Sequence, residues 1–227
     1  MSHTEKRSVE PVQTNTAHQD WDVRWQSEQG RSDWIEPEAF VTETIPLLKD
    51  RGVESVLDLG CGVGRHAILL AQAGFQVHAV DASLTAVDYV ARQASELGVA
   101  IHTHIAEMTS IPLEKDAFDY LLAWNVIYHG DLSVVMSVLS EIIRLLKPGG
   151  IFQGTMLSKR NTEIGAGHCI AKDTYINTDR FEKRHPHFYC NAAEVISLFN
   201  GFEPLVIKDE EHRKAGSYHW HILAEKI

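Results

Sequence analysis

A chain of 227 residues with 44% hydrophobic content can bury a full core as one domain and still spare a few dozen residues for a lid, but is short for a second independent domain. A formal charge of -10 and a pI near 5.7 weigh against nucleic acid and anionic membranes as partners, because both reward clustered Lys and Arg. No apolar run approaches the ~20 residues that cross a bilayer, and the polar start Met1–Thr16 has no apolar signal core, so a cytoplasmic protein is expected.

After that polar start, expected to be loose, Trp21, Trp25, Trp34 and Phe40 crowd together with Arg24 and Arg31, which predicts an N-terminal segment packed on the body as a lid. From Ser55 onward, apolar runs of strand length alternate with helical periodicity, the pattern of a parallel sheet wrapped by helices. Val56–Leu59 reads as the first strand. A helix through Ala67, Ile68, Leu70 and Ala71 closes at Gly74, and Val77–Val80 is the second strand, ended by Asp81. Ser83 is the expected N-cap of a helix with apolar positions Leu84, Val87, Ala91, Ala94 and Leu97, stopping at Gly98. The third strand is expected near Ala100–Ile105 and the fourth over Phe118–Trp124. A helix carrying Val135, Val138, Leu139, Ile142 and Leu146 should end at Lys147-Pro148-Gly149-Gly150, before a fifth strand Ile151–Leu157. Residues 158–190 read as a polar cap or insertion. Ala192–Phe199 then looks helical, and Phe202–Ile207 and His219–Ala224 look like two closing strands, making seven.

Leu57-Asp58-Leu59-Gly60-Cys61-Gly62-Val63-Gly64 runs from a strand through three alternate glycines into a helix. Glycines there let the backbone turn tightly and a ligand approach closely. A dinucleotide fingerprint GxGxxG would need glycine at position 65, which is Arg65, so the turn favours S-adenosylmethionine (SAM) over a nicotinamide cofactor. Asp81, at the end of the next strand, can accept hydrogen bonds from ribose hydroxyls or cap the following helix.

The runs VLDLGCGVGRHAILLAQAGFQVHAVDAS, AEMTSIPLEKDAFDYLLAWNVIYH and LLKPGG resemble, in order and spacing, the sequence blocks of class I SAM-dependent methyltransferases. The resemblance implies an α/β, Rossmann-like, seven-stranded, mostly parallel sheet with helices on both faces and an antiparallel last strand. It implies a single methyltransferase domain over 1–227, with residues 1–50 as an N-terminal lid. It places Asp58, Gly60, Cys61, Gly62 and Gly64 around the amino-acid part of SAM, Asp81 on the ribose, Ala82, Glu107 and Met108 by the adenine, and Asn125 facing the sulfonium.

Trp124, Asn125, Tyr128 and His129 follow the fourth strand, where open α/β sheets place their ligands. His129 is the candidate general base, and Tyr128 and Asn125 could touch the reacting groups; a helix start packed for structure is the alternative. With the Trp25 and Trp34 segment, these residues are the expected acceptor site. The lid resembles that of tellurite-resistance and thiopurine-type enzymes, which implies a small-molecule acceptor, a thiol or chalcogen anion first, with O- or N-methylation or SAM binding without turnover as alternatives. Thirteen histidines are many for this length. A metal site from His185, His187 and one of His219 or His221 is one reading, but no carboxylate-rich ligand spacing accompanies them; a polar cap over the acceptor pocket is expected instead, and no metal. Cys61, Cys169 and Cys190 are expected as free thiols, and the oligomeric state as monomer or homodimer.

Overall fold

A computed structural model describes residues 14–227, apart from the side chain of Glu182. The polar start expected over residues 1–16 therefore lies, up to residue 13, outside the described residues. Helices α1 (Ala17–Trp25), α2 (Glu28–Ser32) and α3 (Ala39–Asp50) precede the sheet. Then β1 (Ser55–Leu59), α4 (Arg65–Gln72), β2 (Gln76–Asp81), α5 (Leu84–Leu97), β3 (Ile101–Ile105), β4 (Phe118–Ala123), α6 (Leu132–Leu145) and β5 (Leu146–Ser158) alternate as the sequence pattern predicts. The strands lie in the order β3-β2-β1-β4-β5 and run parallel. After α7 (Ala192–Leu198) come β9 (Phe202–Glu211) and β10 (Tyr218–Lys226), with β10 antiparallel to both β5 and β9.

Among the described residues ten strands are present where seven were expected. The extra three, β6 (His168–Ala171), β7 (Thr174–Ile176) and β8 (His187–Cys190), lie in the stretch read as a polar insertion. β4 pairs with β5 as far as Ala123 and Gly154, and β8 then pairs with β5 at Leu157 and Ser158. The short strand β8 thus takes up an edge that β4 leaves open, which is why residues far apart in sequence come to lie over the end of β4. A second departure concerns Lys147–Gly150. The helix does end there, but β5 already begins at Leu146 and runs through the Pro-Gly-Gly run, whose extra residues appear as a register shift between Phe118 and Tyr120.

Two apolar layers pin the sheet. α6 buries Val134, Val135, Val138, Leu139, Ile142 and Leu145, one face at helical spacing, among residues of β4, β5 and α7. On the other face Val41, Leu48, Ala67 and Leu70 pack with Val56, Val77, Tyr120 and Leu122. In α5 the buried stripe is Ala86, Val87, Val90 and Ala94, while Leu84, Ala91 and Leu97 face solvent. Small residues suffice on the inner side because α5 also packs against the lid. No helix among the described residues is long and apolar enough to cross a membrane.

Candidate functional site

The glycine turn between β1 and α4 forms the floor of the site. Gly60, Gly62 and Gly64 all have positive φ, which side-chain-bearing residues rarely adopt. A Cβ at Gly60 would run into Val126, and one at Gly62 would come 3.1 Å from the Trp25 indole, so these positions are also sterically closed. Asp81 ties the turn to β2: Oδ2 accepts the Gly62 N–H at 2.8 Å and Oδ1 the Ser83 N–H at 2.8 Å. The predicted N-cap is present, Ser83 Oγ accepting the Ala86 N–H at 3.0 Å.

The lid closes over this floor. Trp21 stacks on Trp25 with ring centres 5.0 Å apart, and Trp34 meets Trp21 edge-on at 5.2 Å. Asp22 Oδ1 accepts from Ser83 Oγ at 2.6 Å and from the Thr85 N–H at 3.2 Å, fastening α1 to the start of α5. Arg213, in the turn between β9 and β10, lies 4.6 Å from the Trp34 ring centre and donates to the Asp33 carbonyl at 2.8 Å. Arg65 approaches the same ring at 5.3 Å and pairs with Glu38 at 2.8 Å.

Under the lid is a cavity lined by Trp25, Trp34, Gly60, Cys61, Gly62, Asp81, Ala82, Glu107, Met108, Trp124, Asn125 and His129, which brings together most of the residues singled out from sequence. Trp21, expected in the lid, lines it too; Asn15, His18, Arg65 and His66 also line it and were not anticipated, their only sequence signal being proximity to the aromatic cluster or to the glycine turn. Asp58 and Gly64 do not line it. Asp58 lies beneath the turn, 2% exposed, with Oδ2 lacking a hydrogen-bond partner, and burial pushes its carboxyl up to about 7. Gly64 is the left-handed N-cap of α4, packed against Val90.

The groups left open in this cavity fit SAM. The indole N–H groups of Trp25, Trp34 and Trp124 are buried without a partner and call for acceptors such as a carboxylate. Asp81 and Glu107 offer carboxylate oxygens to hydroxyl and amine donors, and Ala82, Ala106 and Met108 give an apolar surface for a flat base. Asn15 already donates to Glu107, so part of that carboxylate is held from the lid side.

A second cavity adjoins the first through Trp21, Trp34, Asn125 and His129. Its further lining is Tyr128, Lys183, His187, His212, Arg213, Lys214 and His219, with Asp33 and Glu163 as the acidic members. Asn125, at positive φ, accepts from Thr155 Oγ1 at 3.1 Å, and its amide lies 3.2 Å from His212 Nε2. Tyr128 is held from behind, its carbonyl accepting the Phe188 N–H at 2.9 Å. His129 has both ring nitrogens engaged: Nε2 lies 2.9 Å from the Asn125 carbonyl oxygen and Nδ1 3.0 Å from His185 Nε2. Burial holds His129 and His187 well below the usual imidazole range and brings His185 down to about 4. A buried, weakly basic His129 is therefore a poor fit to the general base expected from sequence. Its neighbours were set by β8, which no sequence pattern pointed to. His212 and His219 are likewise lowered to about 3 by burial.

A family profile described as a methyltransferase domain matches residues 56–150. The chain is 37% identical over 116 residues to the malonyl-[acyl-carrier protein] O-methyltransferase of Salmonella typhimurium, covering 50% of this chain and 43% of that one. It spans roughly half the length of the curated relatives it matches, 42% to 61% for three of them. Among solved structures, the 1,6-didemethyltoxoflavin-N1-methyltransferase of Burkholderia thailandensis superposes with a TM-score of 0.69 at 21% identity, over 99% of this chain and 98% of the other. TehB from Haemophilus influenzae superposes with a TM-score of 0.63 at 18% identity, over 88% of this chain and 67% of the other. At such identities these two likenesses concern the fold.

Proposed function

We propose that this chain, whose residues 56–150 match a methyltransferase domain, uses SAM to methylate a small acceptor that arrives as an anion, a thiol or chalcogen anion ahead of an oxygen or nitrogen nucleophile. The observation that carries the reading is the lining of the second cavity, where Lys183, Arg213 and Lys214, paired in part with Glu163 and Glu38, stand beside four histidines around one space. An anionic acceptor needs charge complementarity and no proton removal.

SAM, when bound, supplies an electrophilic methyl group on a sulfonium. Asp81 and Glu107 would hold its hydroxyl and amine groups, and the three free indole N–H groups its carboxylate. Methyl transfer is an in-line displacement, so the work of the chain is alignment and exclusion of water. Trp21, Trp25 and Trp34 form the apolar roof that keeps water out. Asn125, fixed by Thr155 and His212 at the junction of the two cavities, orients whatever crosses between them. Tyr128 and His129 form the acceptor wall.

A second reading, transfer to oxygen, is supported by the O-methyltransferase named among the relatives, and SAM binding without turnover is a third. The test is release of S-adenosylhomocysteine from the full chain given SAM and, separately, sulfide, ethanethiol, selenite, tellurite, a phenol, a carboxylic acid and an amine. Turnover with a thiol or chalcogen anion is expected. Turnover confined to the phenol or carboxylic acid replaces this reading with the second, and SAM binding with no product from any acceptor replaces it with the third.

A further inference from the structure

Three histidines from two distant segments converge beside the lid. His129 follows β4, His187 opens β8, and His185 lies two residues before it. One ring nitrogen from each lies within 4.8 Å of the others, and all three side chains are buried. The surrounding hydrogen bonds fix the tautomers. His129 Nε2 faces the Asn125 carbonyl oxygen at 2.9 Å, His185 Nδ1 faces Asp20 Oδ2 at 3.1 Å, and His187 Nδ1 faces the His185 carbonyl oxygen at 2.8 Å. Carbonyl and carboxylate oxygens only accept, so each of these nitrogens carries its ring's proton. The remaining nitrogens, His129 Nδ1, His185 Nε2 and His187 Nε2, are then lone-pair donors. Two of them, His129 Nδ1 and His185 Nε2, face each other at 3.0 Å with no proton between them.

Lone pairs at that distance repel unless a cation sits among them. An added proton, its charge offset by Asp20, would serve only one pair of rings and leave the third lone pair unmet. A metal ion takes all three lone pairs. Outer nitrogens donating to a carboxylate and to backbone carbonyls are what hold metal-ligating imidazoles in orientation. We propose that His129, His185 and His187 bind a first-row divalent cation, zinc foremost, with Asp20 and two backbone carbonyls as the outer supports. His129 and His187 also line the second cavity, which leaves a fourth coordination position on that side, the arrangement of a reactive rather than a closed site. Trp21 covers the cluster from the lid, its ring centre 6.1 Å from that of His129 and 6.3 Å from that of His185. The site stands independently of which acceptor is methylated.

The test uses untagged full-length protein, stripped with a chelator and titrated with Co2+ alone and then with Zn2+. One Co2+ per chain, with the visible absorption of a four-coordinate nitrogen-rich site and displacement by Zn2+, is the expected result. His185→Gln and His187→Gln should each weaken Co2+ binding at least a hundredfold, and Asp20→Asn ten- to a hundredfold. His104→Ala, on β3, should leave it unchanged. SAM binding measured on every variant reports whether the cofactor cavity still folds, so weakened Co2+ uptake with SAM binding retained supports the site. Absence of Co2+ and Zn2+ uptake by the folded wild type, or uptake that a His185→Gln/His187→Gln double variant retains, overturns it. Co2+ uptake without SAM binding would leave this site standing and bring down the methyl-transfer reading instead.

Discussion

At the end of β2, one carboxylate does two jobs. Asp81 accepts the Gly62 N–H and the Ser83 N–H, one on each oxygen, and still has lone pairs facing the first cavity. Burial raises its pKa, and the backbone hydrogen bonds oppose that rise. Asp81→Asn must turn an NH2 group toward one of those two amides, so it loses a backbone bond as well as the charge. Charge-assisted hydrogen bonds contribute about 1.5–3 kcal/mol each, so SAM affinity measured by calorimetry should fall by roughly ten- to a hundredfold, with a lowered melting temperature. Unchanged affinity would take Asp81 out of the cofactor site and leave it as a brace of the glycine turn. Asp58, beneath the same turn, shows the opposite balance: it is buried and half unpartnered, and its carboxyl sits near 7 because nothing there repays desolvation in full.

The lid is an element-scale device with few attachments. α1 meets the body through Asp22 on Ser83 and Thr85, through Asp20 on His185, and through the stacked indoles over Gly62. Because Ser83 is also the N-cap of α5, the anchor of the lid and the start of a core helix share one hydroxyl. Asp22→Ala should therefore release α1 while costing the core little. Limited proteolysis should cut faster within residues 17–35, SAM should dissociate faster, and the melting temperature should move by no more than a few degrees. Protection of that segment equal to wild type would mean that indole packing alone holds the lid. Arg65 and Arg213, packed against Trp34, act at the opposite end and are untouched by this change.

At the scale of the whole molecule, acid should be the weak flank. His212 and His219 are 6% and 5% exposed and lowered to about 3, against about 6.5 in an unfolded chain. A folded pKa below the unfolded one means that the unfolded chain binds more protons, so their contribution is complete above about pH 6.5 and is lost as pH falls toward 3. Each removes about 1.4 kcal/mol per pH unit inside that window. Asp58 works against them between about 4 and 7, since its folded carboxyl holds a proton the unfolded one has given up. Two histidines outweigh one carboxylate, so the unfolding free energy should decrease from pH 6.5 to pH 4.5 by one to a few kcal/mol. On that balance, replacing His212 with Asn should remove most of the slope. A flat profile in denaturant titrations would show that these rings charge without unfolding the chain.

The order of strands and helices from Ser55 to Ser158, the glycine turn, Asp81 and the Ser83 cap were all legible in the sequence, because each follows from local periodicity, a left-handed backbone or a hydroxyl at a helix start. Trp25 and Trp34 could be named because so many indoles in one short segment need a surface to cover, and Trp124 because it closes the fourth strand, where open α/β sheets place their ligands. What the sequence could not disclose was decided by β8. Its four residues carry a short apolar run inside a polar stretch, and their partner is a strand end that exists only after β4 stops at Ala123. That single non-local pairing brings His185 and His187 onto His129, turning a candidate base into a member of a buried triad. Periodicity reports which face of an element is apolar; where two distant elements meet is fixed by pairing and burial across the whole chain, and there only the tertiary structure decides.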